Sequence, residues 1–163
     1  MIKTLKSLLK KFQDPKVYVD LSLDHIELAE NYLMLGLNFD WHNGTANPIT
    51  IREVQIKLFN KGRLEEPILF RSQGHFTRLP AQKVITKIVG AKSFLLPAGK
   101  SHQEGIRVFT RAILNLEERT YPVEIHATVA DGTYVHRAEV QVTNRIKYRT
   151  SEAWTMAMEE TST

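Results

Sequence analysis

Hydrophobic side chains recur at every second position along most of the chain after its first sixteen residues. The clearest runs are residues 17–23 and residues 33–41, the second of which ends with Phe39 and Trp41. A period of two is typical of a β-strand that buries one face and exposes the other. We therefore predict a strand over each run.

A third strand, predicted over residues 49–59, changes parity part-way along. The hydrophobic residues of 49–51 occupy one parity and those of 54–58 occupy the other. One extra residue near Arg52 and Glu53 would return both sets to a common face. This pattern predicts a β-bulge at that point.

The same alternation predicts shorter strands further along the chain, at residues 67–70, 106–113, 121–130 and 133–142. Residues 72–82 are polar and are expected to be mostly loop. Residues 84–89 fit one face of a helix as well as a strand, and their β-branched content favours the strand.

Asp131 and Gly132 are the preferred pair for a two-residue type I′ turn, which predicts a tight hairpin between the last two strands. In that register Ala127 pairs with His136, so that His136 lies on the apolar face and His126 on the opposite one. The two imidazoles are therefore not expected to bind a metal ion together.

About seven strands separated by turn signals, with no long helix between them, indicate an all-β fold. We expect an antiparallel Greek-key sandwich. Over residues 16–148 the pattern resembles the immunoglobulin-like superfold, on the stripe at 33–41, the strand at 49–59 and the hairpin at 131–132. Tyr121 is a candidate for the tyrosine corner of such folds. The resemblance implies an architecture and no particular activity.

Residues 1–14 differ from the rest and predict a short amphipathic helix that Pro15 ends. The first sixteen residues hold five lysines and one aspartate, which accounts for the whole net charge of +4. We expect three regions: this helix, a β-domain over 15–148, and an acidic polar tail over 149–163 that contains Trp154. The candidate interaction surface of the helix consists of Ile2, Lys3, Leu5, Lys6, Leu8, Leu9, Lys10, Lys11 and Phe12.

Composition excludes several chemistries. The 163 residues include no cysteine, so disulfides, thiolate metal ligands and cysteine nucleophiles are absent. No catalytic motif, cofactor motif or metal-ligand spacing is found, and no basic stripe suggests nucleic acid. The polar groups available for a site built from loops are Asp40, His42, Glu53, His75 and His102.

These observations predict a non-catalytic module that mediates protein–protein interaction or self-association, with the N-terminal helix as a docking element. One alternative is peripheral binding of that helix to an anionic membrane surface. The other is a small-ligand binder or an enzyme with a loop-built site. The sequence identifies no small-molecule substrate, and we expect a cytoplasmic location, with peripheral membrane contact as the alternative.

Overall fold

The computed structural model describes residues 16–28, 31–60, 66–77, 87–112, 116–143 and 147–148. These ranges contain β-strands and no α-helix. The strands are β1 (Val17–Leu28), β2 (Leu33–Asn43), β3 (Ile49–Ile51), β4 (Glu53–Leu58), β5 (Ile68–Thr77), β6 (Lys87–Gly90), β7 (Phe94–Leu96), β8 (Ser101–Thr110), β9 (Thr120–Val129), β10 (Gly132–Gln141) and β11 (Lys147–Tyr148).

Within the described ranges, nine strands form one hydrogen-bonded sheet. Its order is β10-β9-β4-β5-β8-β2-β1-β11, with β6 paired to β5 beside this path, while β3 and β7 form a separate two-stranded sheet. Neighbouring strands are antiparallel except for the parallel pair of β1 and β11. The large sheet curls until β1 approaches β10, which gives a nearly closed, barrel-like shape.

The all-β, antiparallel expectation is confirmed, but the arrangement is not clearly a Greek-key sandwich. A continuous ladder joins the strands that a sandwich would divide between two facing sheets. Alternation fixes one buried face for each strand. It does not decide whether two sheets or one curled sheet encloses that face.

The inner face of the curled sheet forms the hydrophobic core. In β2 the odd-numbered residues, including Phe39 and Trp41, are buried, whereas Asn38, Asp40 and His42 are exposed on the outer face. The rings of Phe39 and Trp41 stack with centroids 5.9 Å apart. The alternation predicted for this strand is therefore confirmed.

The parity change near Arg52 is real, but it is not a bulge within one strand. The chain leaves the small sheet at the end of β3 and joins the large sheet at the start of β4. Arg52 lies between the two, and its backbone N–H donates to the carbonyl of Thr128 at 2.7 Å. Two bulges that the pattern did not predict occur instead at Asp24 in β1 and at Gln73 in β5.

Two predicted segments need correction. Residues 72–77 belong to β5 and are not loop, because they pair with β6 and β8 although their side chains are largely polar. β8 begins at Ser101, five residues before the predicted start. The strand interpretation of 84–89 is confirmed for the part in β6, and residues 84–86 lie outside the described residues.

The pairing of β9 with β10 is shifted by two residues from the predicted register. Gly132 pairs with Val129, so Ala130 and Asp131 span the turn and His136 pairs with Ile125. A type I′ turn needs positive φ at both central residues, and no described non-glycine residue has one. A shift of two leaves every side chain on its predicted face, so the opposite orientations expected for His126 and His136 are confirmed.

Tyr121 is buried at the start of β9, and its hydroxyl reaches back to the preceding chain. It accepts a hydrogen bond from the N–H of Glu117 at 2.8 Å and lies 3.3 Å from the carbonyl of the same residue. A tyrosine corner makes this type of contact. The contact is compatible with the candidate role of Tyr121, and that role and the immunoglobulin-like resemblance stay predictions.

Candidate functional site

A cavity of about 330 Å³ opens between β4, β5 and the chain that leads into β7. Its apolar wall comes from buried residues, and its polar wall comes from two cations, one carboxylate, two hydroxyls and one imidazole. The buried apolar residues are Val54, Phe94 and Ile106, and the polar ones are Arg52, Glu53, Ser72, His75, Lys92 and Ser93.

The bulge at Gln73 directs His75 to this cavity. Ser72 pairs with Val108 on the inner face, and the extra residue lets His75 pair with Ile106 on the same inner face. Without the bulge the side chain would lie on the outer face, because strand side chains alternate. Gly74 has no room for a Cβ, since the carbonyl of Val89 in β6 occupies that space.

The imidazole of His75 is 5% exposed, and its two nitrogens have different surroundings. Nε2 lies 3.1 Å from the carbonyl oxygen of Lys92. A carbonyl can only accept, so Nε2 carries the proton of this hydrogen bond. Nδ1 has no hydrogen bond within the described part of the chain and faces Glu104 Oε1 at 3.5 Å. This nitrogen carries a proton only when the ring is positively charged.

Glu104 lies between two imidazoles. Its Oε1 faces His75, and its Oε2 lies 3.7 Å from Nε2 of His102. Burial raises the pKa of Glu104, but its contact with His75 and the nearby charges of His75, His102 and Lys92 outweigh burial and lower the pKa below its usual value. Glu104 is therefore a carboxylate at neutral pH.

Phe94 connects this cluster to the cavity. Its ring meets His75 edge to face, with centroids 5.8 Å apart, and stacks on His102 at 5.7 Å. It also contacts Trp41 with ring centroids 6.1 Å apart. The cavity wall is thus supported by packed rings from β2, β5, β7 and β8.

The five polar residues proposed for a loop-built site separate into two groups. Glu53 and His75 line the cavity, and His102 is linked to His75 through Glu104. Asp40 and His42 lie on the outer face of β2 and do not reach it. All five belong to strands and not to loops.

A larger cavity of about 610 Å³ lies against the outer face of the sheet, where its ionisable lining residues are Asp20, Asp40 and Glu104. Asp20 and Asp40 are direct cross-strand partners. No group of three or more metal-binding side chains is found among the residues that the structure describes.

A buried ion pair on the outer face was missed by the sequence pattern. Glu27 accepts a hydrogen bond from Arg107 at 3.3 Å and another from the hydroxyl of Tyr32 at 3.0 Å. Burial lowers the pKa of Arg107 to about 10, although Glu27 favours the charged form. The bulge at Asp24 moves Glu27 to the outer face, where it pairs with Met34, so the alternation of residues 17–23 does not predict its position.

The candidate interaction surface of residues 2–12 lies outside the described residues, as do the tail at 149–163 and Trp154. Docking through that surface therefore stays a prediction. In the described ranges, nothing helical has the length and apolarity that crossing a bilayer requires.

No family model matches the chain, and no curated protein sequence does. Among solved structures, the sporulation control protein Spo0M from Bacillus subtilis is similar at 12% identity and a TM-score of 0.37, over 80% of this chain and 51% of that one. The DNA glycosylase AlkC from Pseudomonas fluorescens is similar at 16% identity and a TM-score of 0.34, over 85% of this chain and 36% of that one.

A family 123 glycoside hydrolase from Clostridium perfringens is similar at 10% identity and a TM-score of 0.32, over 78% of this chain and 28% of that one. The chain thus spans about half of Spo0M and a smaller part of the two enzymes. At these TM-scores the likenesses carry no argument about function.

Proposed function

We propose that the chain is a non-catalytic binding module that holds a small ligand in the cavity between β4, β5 and β7. The observation that supports this is the buried imidazole of His75, which lines a cavity of about 330 Å³ together with apolar side chains and two cations. Small-molecule sites in proteins begin at about this volume and combine apolar walls with a few polar groups.

The arrangement favours binding over catalysis. Nε2 of His75 is committed to the carbonyl of Lys92, and Nδ1 faces the carboxylate of Glu104 at 3.5 Å. A general base needs a nitrogen directed at the reacting group of the substrate. His75 instead fixes the segment that carries Lys92, which gives the cavity a rigid polar side.

A fragment screen on two variants tests this proposal. Ser72→Phe places a ring in the cavity, whereas Ser22→Phe places the same ring at the outer-face cavity. Saturation-transfer NMR with neutral, anionic and cationic fragments should detect binders to the full chain. We expect Ser22→Phe to retain them and Ser72→Phe to lose them.

The opposite result, with binders lost in Ser22→Phe and kept in Ser72→Phe, would contradict the proposal and assign binding to the outer face. Urea unfolding of both variants shows whether each still folds. The protein-partner hypothesis rests on residues 2–12 and stays a separate prediction, because this screen does not depend on that segment.

A further inference from the structure

The charges around the cavity are unequal. Its lining includes the cations Arg52 and Lys92, and the only acidic lining residue is Glu53. Neither cation forms an ion pair with another residue of the described ranges. The carboxylate of Glu53 accepts a hydrogen bond from Gln55 Nε2 at 3.2 Å, two positions along β4, and this directs it along the outer face.

Both cations are carried by anchored backbone on different segments. The N–H of Arg52 donates to Thr128 at 2.7 Å, where the chain passes from β3 to β4. The carbonyl of Lys92 is held by the ring of His75 at 3.1 Å, just before β7. Two positive groups on fixed positions around one cavity can bind a shared oxyanion through charge-assisted hydrogen bonds.

The other residues that line the cavity indicate what the uncharged part of the ligand would contact. Val54, Phe94 and Ile106 are buried and give an apolar wall, and Ser72 and Ser93 add hydroxyls that can donate to an anion. Glu104 is not part of the lining, but its carboxylate lies 3.5 Å from Nδ1 of His75 and its charge interacts with that of Lys92.

We propose that the cavity takes a small organic anion, a carboxylate on a short apolar body, with Arg52 and Lys92 at the carboxylate and Phe94 beside the body. This inference rests on the proposed function and names the class of ligand. A hydrogen bond to a charged group contributes enough to change affinity by about tenfold or more.

Three probes of one shape separate charge from size: benzoate, benzamide and benzylamine. Dissociation constants are measured by titrating each into the ¹⁵N-labelled full chain and following backbone amide shifts near the cavity. We expect benzoate to bind at least about tenfold more tightly than benzamide, and benzylamine to bind most weakly.

Charge variants identify the residues responsible. Arg52→Gln and Lys92→Gln should each weaken benzoate about tenfold. Arg71→Gln, an exposed arginine of β5 outside the cavity lining, should leave it unchanged. Equal benzoate affinity in wild type and both cavity variants would overturn the assignment of these cations.

The outcomes also separate this inference from the proposed function. If benzamide or benzylamine binds in the cavity as tightly as benzoate, the cavity is a ligand site but the preference for anions is wrong. If none of the three probes shifts the cavity amides, the anion inference is overturned, and the fragment screen then decides the proposed function.

Discussion

Adding a single methyl group at Gly36 should lower the stability of the fold. The imidazole of His25 lies directly on the backbone of Gly36, and a Cβ there would overlap Cε1 and both ring nitrogens. His25 has nowhere to move, because it is fully buried and packs edge to face on Phe76, with centroids 5.1 Å apart. Its Nδ1 is held by the carboxylate of Asp24 at 2.7 Å.

The cost of Gly36→Ala follows from what the ring must give up. Breaking the bond between His25 and Asp24 costs about 1.5–3 kcal/mol, as for other hydrogen bonds to charged groups. Forcing an extra carbon into packed space costs about 1–3 kcal/mol more. Alanine also restricts the unfolded chain more than glycine does, which offsets about 0.4–1 kcal/mol of the lost stability. We expect a net loss of about 2–5 kcal/mol in the free energy of unfolding.

Urea unfolding of four proteins measures this loss: wild type, Gly36→Ala, His25→Ala and the double variant. Once His25→Ala has removed the ring, the added methyl meets no obstacle and should cost nothing further. The two substitutions should therefore couple by about the full cost of the clash. The reasoning is refuted if Gly36→Ala is neutral in wild type, or costs the same in the His25→Ala background.

Three further predictions follow from charge and backbone geometry. Glu27→Gln leaves the largely buried guanidinium of Arg107 without its carboxylate and should lower the free energy of unfolding, measured in urea, by about 3–5 kcal/mol. The double variant Glu27→Leu/Arg107→Met should lose less stability than that. The pKa of Glu104 is lowered below 4.5, so its carboxylate stabilises the fold above pH 4.5 and loses that effect as the pH falls through the lowered value. The stability difference between wild type and Glu104→Gln should shrink over that range in acid titrations followed by thermal unfolding. Gly99 has a φ of 67° and open space at its Cβ position, so Gly99→Ala should cost about 1–2 kcal/mol, whereas Gly90→Ala, also in open space, should be neutral.

Each of these predictions has a clear contrary result. A double variant less stable than Glu27→Gln would show that the ion pair stabilises the fold beyond satisfying a buried charge. A difference for Glu104→Gln that grows in acid would reverse the sign of the linkage. Equal effects of alanine at Gly99 and Gly90 would show that backbone strain does not limit the turn at Gly99.

The hydrophobic pattern of the sequence predicted the features of the fold that need only an uninterrupted alternation of buried and exposed positions. The buried face of β2 and the faces of His126 and His136 follow from a period of two, which a register error of two residues does not disturb. Closure of the sheet was not predictable, because β1 and β10 approach each other only through the curl of seven successive strands. Local side-chain patterns carry no information about that curl.

The candidate site depends on the features that alternation cannot show. The bulge at Gln73 places His75 on the inner face, and the bulge at Asp24 buries Glu27 on the outer one. Neither bulge has a sequence signal as clear as the parity change near Arg52. Sequence reasoning therefore found His75 and His102 as candidates but could not bring them together through Glu104.

Mapping where a bound fragment contacts the chain shows whether the cavity between β4, β5 and β7 is the ligand site. The full chain, labelled with ¹⁵N, is titrated with a fragment found in the screen, and the saturating shift of every assigned amide is recorded. If the ligand binds in the cavity, the largest shifts should fall at Arg52, Ser72, His75 and the residues that lead into β7. Shifts centred on Asp20 and Asp40, with the amides around His75 unmoved, would contradict it.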